Sequence, residues 1–171
     1  MRTVVHGDVH VHYGQIYVHS AGGEPFEGDL HACFAGQRNG LCGAAVAGTL
    51  FLLTGRHTGE VEFTAEVHET APPDAGGEDV VEASFRAAGP ARLVTWAGEE
   101  WWDLELPPGD YRVRYSATGM DDGDGPESSL LQFWPAPPAP DAVVRQTSAA
   151  AAYWHGFARK LPAVTSRTNR P

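Results

Sequence analysis

The chain has 171 residues, 42% of them hydrophobic and five of them tryptophan, which is enough for one buried core and too apolar for general disorder. A formal charge of −10 argues against nonspecific nucleic-acid binding, because nothing would release counterions from phosphates, and leaves a basic protein partner or plain solubility as its meaning. No apolar run approaches the roughly 18 to 20 residues of a membrane span, and Met1-Arg2 begins no signal-peptide core, so a cytoplasmic protein without membrane contact is expected.

Taken in chain order, residues 4–20 alternate with period two. Val5, Val9, Val11 and Tyr13 stand against His6, Asp8, His10 and His12, and the phase shifts at Gly14 so that Ile16 and Val18 become the apolar positions. Such a shift predicts a bulge, or a bend between two sheets, at Gly14-Gln15. Residues 21–25 read as a loop, and 30–48 as irregular backbone packed by small residues. Residues 50–54 and 60–69 read as strands joined by Gly55-Arg56-His57-Thr58-Gly59, and are expected to pair as a hairpin. In the second of them Val61, Phe63, Ala65 and Val67 face inward, with Glu60, Glu62, Thr64, Glu66 and His68 on the other side.

A proline- and glycine-rich loop covers 71–79, and two short strands follow at 80–86 and 92–96. The stretch 99–119, EEWWDLELPPGDYRVRYSATG, reads as a hairpin about Pro107-Pro108-Gly109-Asp110. The acidic loop MDDGDGPESS carries no obvious apolar anchor and is expected to be mobile, and 130–134 is a last strand. The run PAPPAP at 135–140 is a stiff connector. Beyond it Asp141 suits an N-cap, and Val143, Thr147, Ala150, Trp154, Phe157 and Leu161 recur at helical spacing. A helix over 141–161 that docks on the sheets and buries Trp154 and Phe157 follows, with a disordered tail at 162–171. The expected fold is therefore all-β: an antiparallel sandwich or open barrel of seven to nine short strands over 1–134, with a C-terminal α-helix.

Little in the chain points to catalysis. His6, His10 and His12 share a strand face with Asp8, and the His-x-His spacing resembles the metal-binding signature of cupins, which makes a cupin-like metal-dependent enzyme the runner-up reading. The glutamate of that signature is out of place, since Glu24 lies beyond the bend, and a polar exposed strand face accounts for the same residues. Asp121, Asp122 and Asp124 are too few for the six or more oxygens of calcium. Cys33 and Cys42, with His31 nearby, read as reduced thiols lacking the further ligands of a zinc site. Neither a nucleophile elbow nor a phosphate-binding glycine loop is present, so no enzyme activity and no cofactor are expected. Trp101 and Trp102 must face opposite ways on a strand, and an exposed Trp101 flanked by carboxylates is suited to protein recognition. It also permits a third reading, a ligand-binding sandwich.

Two stretches carry a family resemblance. DVHVHYGQIYVHS at 8–20 and WDLELPPGDYRVRY at 102–115, with the strands between them in compatible order, resemble the competence protein J family, inhibitors of a DNA-entry nuclease. The resemblance covers about 4–118; the acidic loop, the proline run and the helix have no counterpart in it. It implies a non-enzymatic binding protein that blocks a basic nuclease. The acidic candidates for such a contact are Glu60, Glu62 and Glu66 on one strand and Asp121, Asp122 and Asp124 in the loop, with Trp101 beside them.

Overall fold

The computed structural model describes residues 1–23 and 28–164. In chain order these form β1 (Arg2–Val11), β2 (Gln15–Ser20), α1 (Leu30–Phe34), β3 (Cys42–Gly43), β4 (Thr49–Leu53), β5 (Gly59–Val67), β6 (Asp79–Ala87) and β7 (Ala91–Thr95). After a 3-10 turn at Trp96–Gly98 come β8 (Trp101–Asp103), β9 (Gly109–Thr118), β10 (Ser128–Pro135), β11 (Ala142–Arg145) and α2 (Ala149–Ala158). The strands build two sheets, ordered β1-β5-β10-β9-β6-β11 and β3-β4-β2-β7-β8, which makes a sandwich rather than a closed barrel. The strands number more than expected, and one pairing departs from antiparallel: β10 runs parallel to β5, with Ser128 opposite Glu62 and Phe133 opposite Val67.

The core lies between the sheets. Val9, Val61, Phe63, Val113, Leu131 and Phe133 from the six-stranded sheet meet Ile16, Val18, Leu50, Leu52 and Leu93 from the other, all essentially inaccessible to solvent. Tyr115 crosses this layer and donates from its hydroxyl to the Leu53 carbonyl at 3.0 Å, so its polar end is satisfied inside the core.

Both expected hairpins are corrected. The strand of 50–54 belongs to the five-stranded sheet and that of 60–69 to the six-stranded one, where β5 pairs with β1 and β10 instead of with β4. Likewise β8 pairs with β7 while β9 pairs with β6 and β10, so 99–119 bridges the sheets. The reason lies at Pro107-Pro108-Gly109. Tyr111 donates its hydroxyl to the Pro107 carbonyl at 2.7 Å, the hydrogen bond of a tyrosine corner, which carries a chain from one layer of a Greek-key sandwich to the other. The bend foreseen at Gly14 is of this kind too, since β1 and β2 lie in different sheets and Tyr13 and Gly14 have φ of 56 and 65°.

The C-terminal segment differs most from expectation. Residues 142–145 form a strand on β6, as the β-branched pair Val143-Val144 favours, and the helix begins only where Ser148 can cap the alanine run. Asp141 is no N-cap: its carboxylate accepts from the amides of Arg38 (2.8 Å) and Asn39 (2.7 Å). Helix α2 lies against the core through Ala151, His155 and Ala158, while Trp154 and Phe157 are only half-buried. His155 Nδ1 accepts from the Gly40 amide at 2.9 Å, and the two backbones approach so closely that a Cβ at residue 40 would fall 1.9 Å from the Trp154 carbonyl oxygen. Of the glycine-rich stretch at 30–48, the start is the short helix α1, capped by Asp29, with Phe34 against Phe51 at 5.8 Å between centroids. Most of the tail expected to be disordered, and part of the loop at 21–25, lies outside the described residues.

Candidate functional site: an acidic sheet face with an aromatic end

The outer face of β1 and β5 is the acidic surface the sequence suggested, and the ladder explains its spacing. Asp8 stands opposite Glu62, His10 opposite Glu60 and His6 opposite Thr64, all pointing away from the core because Val5, Val9, Val61 and Phe63 point into it. Glu60 and Glu62 are exposed, and Glu60 accepts from His10 at 2.7 Å. Glu66 is different: its carboxylate is held by His68 (2.8 Å) and the Gln132 side-chain amide (2.9 Å), so it is occupied within the fold.

The acidic loop has an apolar anchor after all, at its start, and a polar one at its end. Met120 is buried, and Glu127, itself 5% exposed, accepts from the amides of Gly55 (2.7 Å) and Arg56 (2.6 Å) in the turn between β4 and β5. Burial raises the Glu127 carboxyl above its usual value, against the opposing pull of those two amides and of the Arg56 charge. Asp121 caps α2, accepting from Ala149 (2.7 Å) and Ala150 (2.9 Å), which reinforces Ser148 at the positive end of that helix. Asp122 and Asp124 remain exposed in the loop. Trp101 sits on the five-stranded sheet, away from the acidic strands; it is 53% exposed, and the Arg92 guanidinium lies 4.0 Å over its ring.

The three N-terminal imidazoles do not converge on one point, although the His10 and His12 rings meet edge-on at 4.7 Å. His6 bonds Thr64 Oγ1 at 3.1 Å and His10 bonds Glu60, while His12 lies past the end of β1 in an isolated bridge to Gln15. Among the described residues no group of three or more His, Cys, Asp or Glu side chains is arranged to hold a metal ion. Cys33 and Cys42 are free and buried, and burial pushes both thiols up to about 12, which keeps them protonated and unreactive.

Sequence reasoning missed a cluster at one end of the sandwich. Tyr13 and Trp96 lie with ring centroids 5.2 Å apart, Tyr13 meets His57 at 5.3 Å, and His12 meets Trp96 at 5.7 Å. The residues come from three connections, of which the sequence marks only the one with His57 as a turn, Tyr13 and Trp96 reading as strand positions. Backbone bonds fix two of those connections together, from Gly14 N to the His57 carbonyl (2.8 Å) and from Thr54 N to the Gly14 carbonyl (3.0 Å).

No protein-family model and no curated protein sequence matches the chain. Among solved structures the fold is similar to that of ComJ from Bacillus subtilis, described as an inhibitor of the DNA-degrading activity of NucA, with a TM-score of 0.58 at 13% identity over 79% of this chain and 98% of that one. A protein described as crocagin biosynthetic gene J is also similar, with a TM-score of 0.50 at 16% identity over 80% of this chain and all of the other (100%). The chain has a ComJ-like fold, in line with the resemblance its sequence suggested.

Proposed function

We propose that this protein is a non-enzymatic inhibitor that binds a basic nuclease and occludes its active site. The observation that carries the reading is the fold shared with ComJ along nearly the whole length of that inhibitor. Charge supports it: Asp8, Glu60 and Glu62 form one exposed acidic face, and Asp122 and Asp124 extend from a loop pinned to the turn that leads into β5. Such a surface both speeds encounter with a cationic protein and matches it at close range.

The test is a DNA-degradation assay in which purified protein is titrated against a panel of cationic nucleases that includes NucA. Stoichiometric protection of plasmid DNA, with a complex visible by size-exclusion chromatography, is the expected result. If every nuclease in the panel keeps full activity and none forms a complex, the reading is wrong.

A further inference from the structure

We propose that the end of the sandwich built by Tyr13 and Trp96 is the anchor of the partner interface, receiving an arginine or lysine side chain of a basic protein against its exposed rings. This rests on the reading of the protein as a binder of a basic partner and identifies which part of its surface makes the central contact.

Most of the large side chains of the described chain are inside it. Tyr13 and Trp96, by contrast, are 55% and 37% exposed, and they are exposed together, tilted at an interplanar angle of 54°. Clustered exposed aromatics on rigid supports are the commonest central element of protein interfaces. The support here is rigid because the connection carrying Tyr13 is bonded through its backbone to the one carrying His57. Two residues of the cluster's connections, Tyr13 (φ 56°) and Ala97 (φ 61°), hold left-handed backbone that side chains other than glycine seldom adopt. Strain of that kind persists at recognition sites, where it sets the aim of a side chain.

Charge decides what the rings would receive. His10 stacks edge-on against His12 at 4.7 Å and holds Glu60, so the aromatic cluster runs directly into the acidic face of Asp8, Glu60 and Glu62. Arg56, the cation in the neighbouring turn, sends its guanidinium to the Gly125 carbonyl. A cation attracted by those carboxylates is stabilised further within about 6 Å of an aromatic centroid. The fold uses the same chemistry internally, with Arg92 over Trp101 at 4.0 Å and Arg114 over Trp134 at 5.3 Å.

The experiment uses an octa-arginine peptide as the probe, titrated calorimetrically at low salt into the full chain and into a Tyr13→Asn/Trp96→Ala double variant. Asn tolerates positive φ, so the backbone of the turn is preserved while the ring is removed. The expected result is a loss of about tenfold in affinity for the double variant, measured at a temperature where it is fully folded by circular dichroism, and a parallel loss for Glu60→Gln/Glu62→Gln. Equal affinity in the double variant would overturn the anchor while leaving an acidic partner-binding face intact. Absence of octa-arginine binding by the parent would remove both, and tighter binding of an oligothymidylate than of octa-arginine would overturn the proposal in favour of a base-stacking surface.

Discussion

His155 occupies an unusual place for a titratable side chain. It is 1% exposed, its Nδ1 accepts from the Gly40 amide, and its Nε2 is buried without a hydrogen-bond partner among the described residues. Because Nδ1 must be unprotonated to accept that bond, the folded chain holds the ring neutral. Burial lowers its pKa below the ordinary value of 6.5; Arg159 adds to the shift, and Asp79 and Asp141 oppose it. Between the lowered folded value and 6.5 the unfolded chain binds more protons than the folded one, so stability rises with pH across that window and is lost as pH falls through it. His19, lowered by burial as well, acts in the same direction. Glu127, raised above 4.5 by burial, acts in the opposite one, so the comparison that isolates His155 is between parent and variant. Urea midpoints measured from pH 7.5 down to 5.5 should fall for the parent and fall less for His155→Gln. Identical slopes for the two proteins would show that the ring is not held neutral. Nothing in the sequence marked this residue, because its partner Gly40 lies in a stretch without periodicity and the contact depends on two backbones meeting.

At the scale of elements, α2 shows what spacing can and cannot say. The recurrence from Val143 to Leu161 satisfied a helical template, yet Val143 sits in β11, Thr147 precedes the helix, and the residues that face the core are Ala151, His155 and Ala158. Small residues dominate that face because the helix backbone lies directly on Gly40, leaving no room for the large stripe the template favoured. Trp154 is half-buried and packs edge-on against Phe157 at 5.6 Å, and Phe157 meets His31 at 5.5 Å, so these rings seal the margin of the helix. Trp154→Ala should therefore cost about 1 to 2 kcal/mol, well short of the 3 to 5 kcal/mol of a fully buried tryptophan. Urea unfolding at pH 7.5 measures it, and a cost above that range would mean that the ring is more deeply engaged than its exposure indicates. The alternations of β5 and β9 were legible for a reason that also limited them. Period two identifies a strand and its inner face, but both members of a hairpin and both sides of a corner satisfy it equally. What separates the two here is the hydroxyl of Tyr111 reaching back to Pro107, a contact written in the order Leu106 to Tyr111 rather than in any pattern of hydrophobicity.

Across the whole molecule, charge is sorted. Arg112 and Arg114 are both tied to Glu82, Arg86 to Asp110, Arg2 to Glu105 and Arg145 to Asp74, so much of the positive charge is neutralised locally. The excess carboxylates are left facing solvent, Glu60 and Glu62 among them. Inhibition of a cationic nuclease should accordingly weaken steeply with ionic strength, because the Debye length shrinks from about 10 Å at 0.1 M to about 3 Å at 1 M. Association rates measured by stopped-flow over that range should fall, and Glu60→Lys/Glu62→Lys should slow association at low salt; a rate indifferent to salt would mean that the acidic face plays no part in encounter. The acidic strand was readable because its residues are neighbours in sequence, whereas the aromatic end was not, being assembled from connections that meet only in the folded chain. The parallel pairing of β5 with β10 bears on the order in which the molecule comes together. Glu62 cannot meet Ser128 until nearly everything between them has been laid down, and until β10 arrives neither β5 nor β9 has its inner neighbour in the six-stranded sheet. Contacts so distant along the chain make folding slow, in milliseconds to seconds rather than microseconds. A nascent chain halted between β9 and β10 would hold two long, unprotected strand edges, so on the ribosome this protein is most prone to aggregate just before β10 emerges.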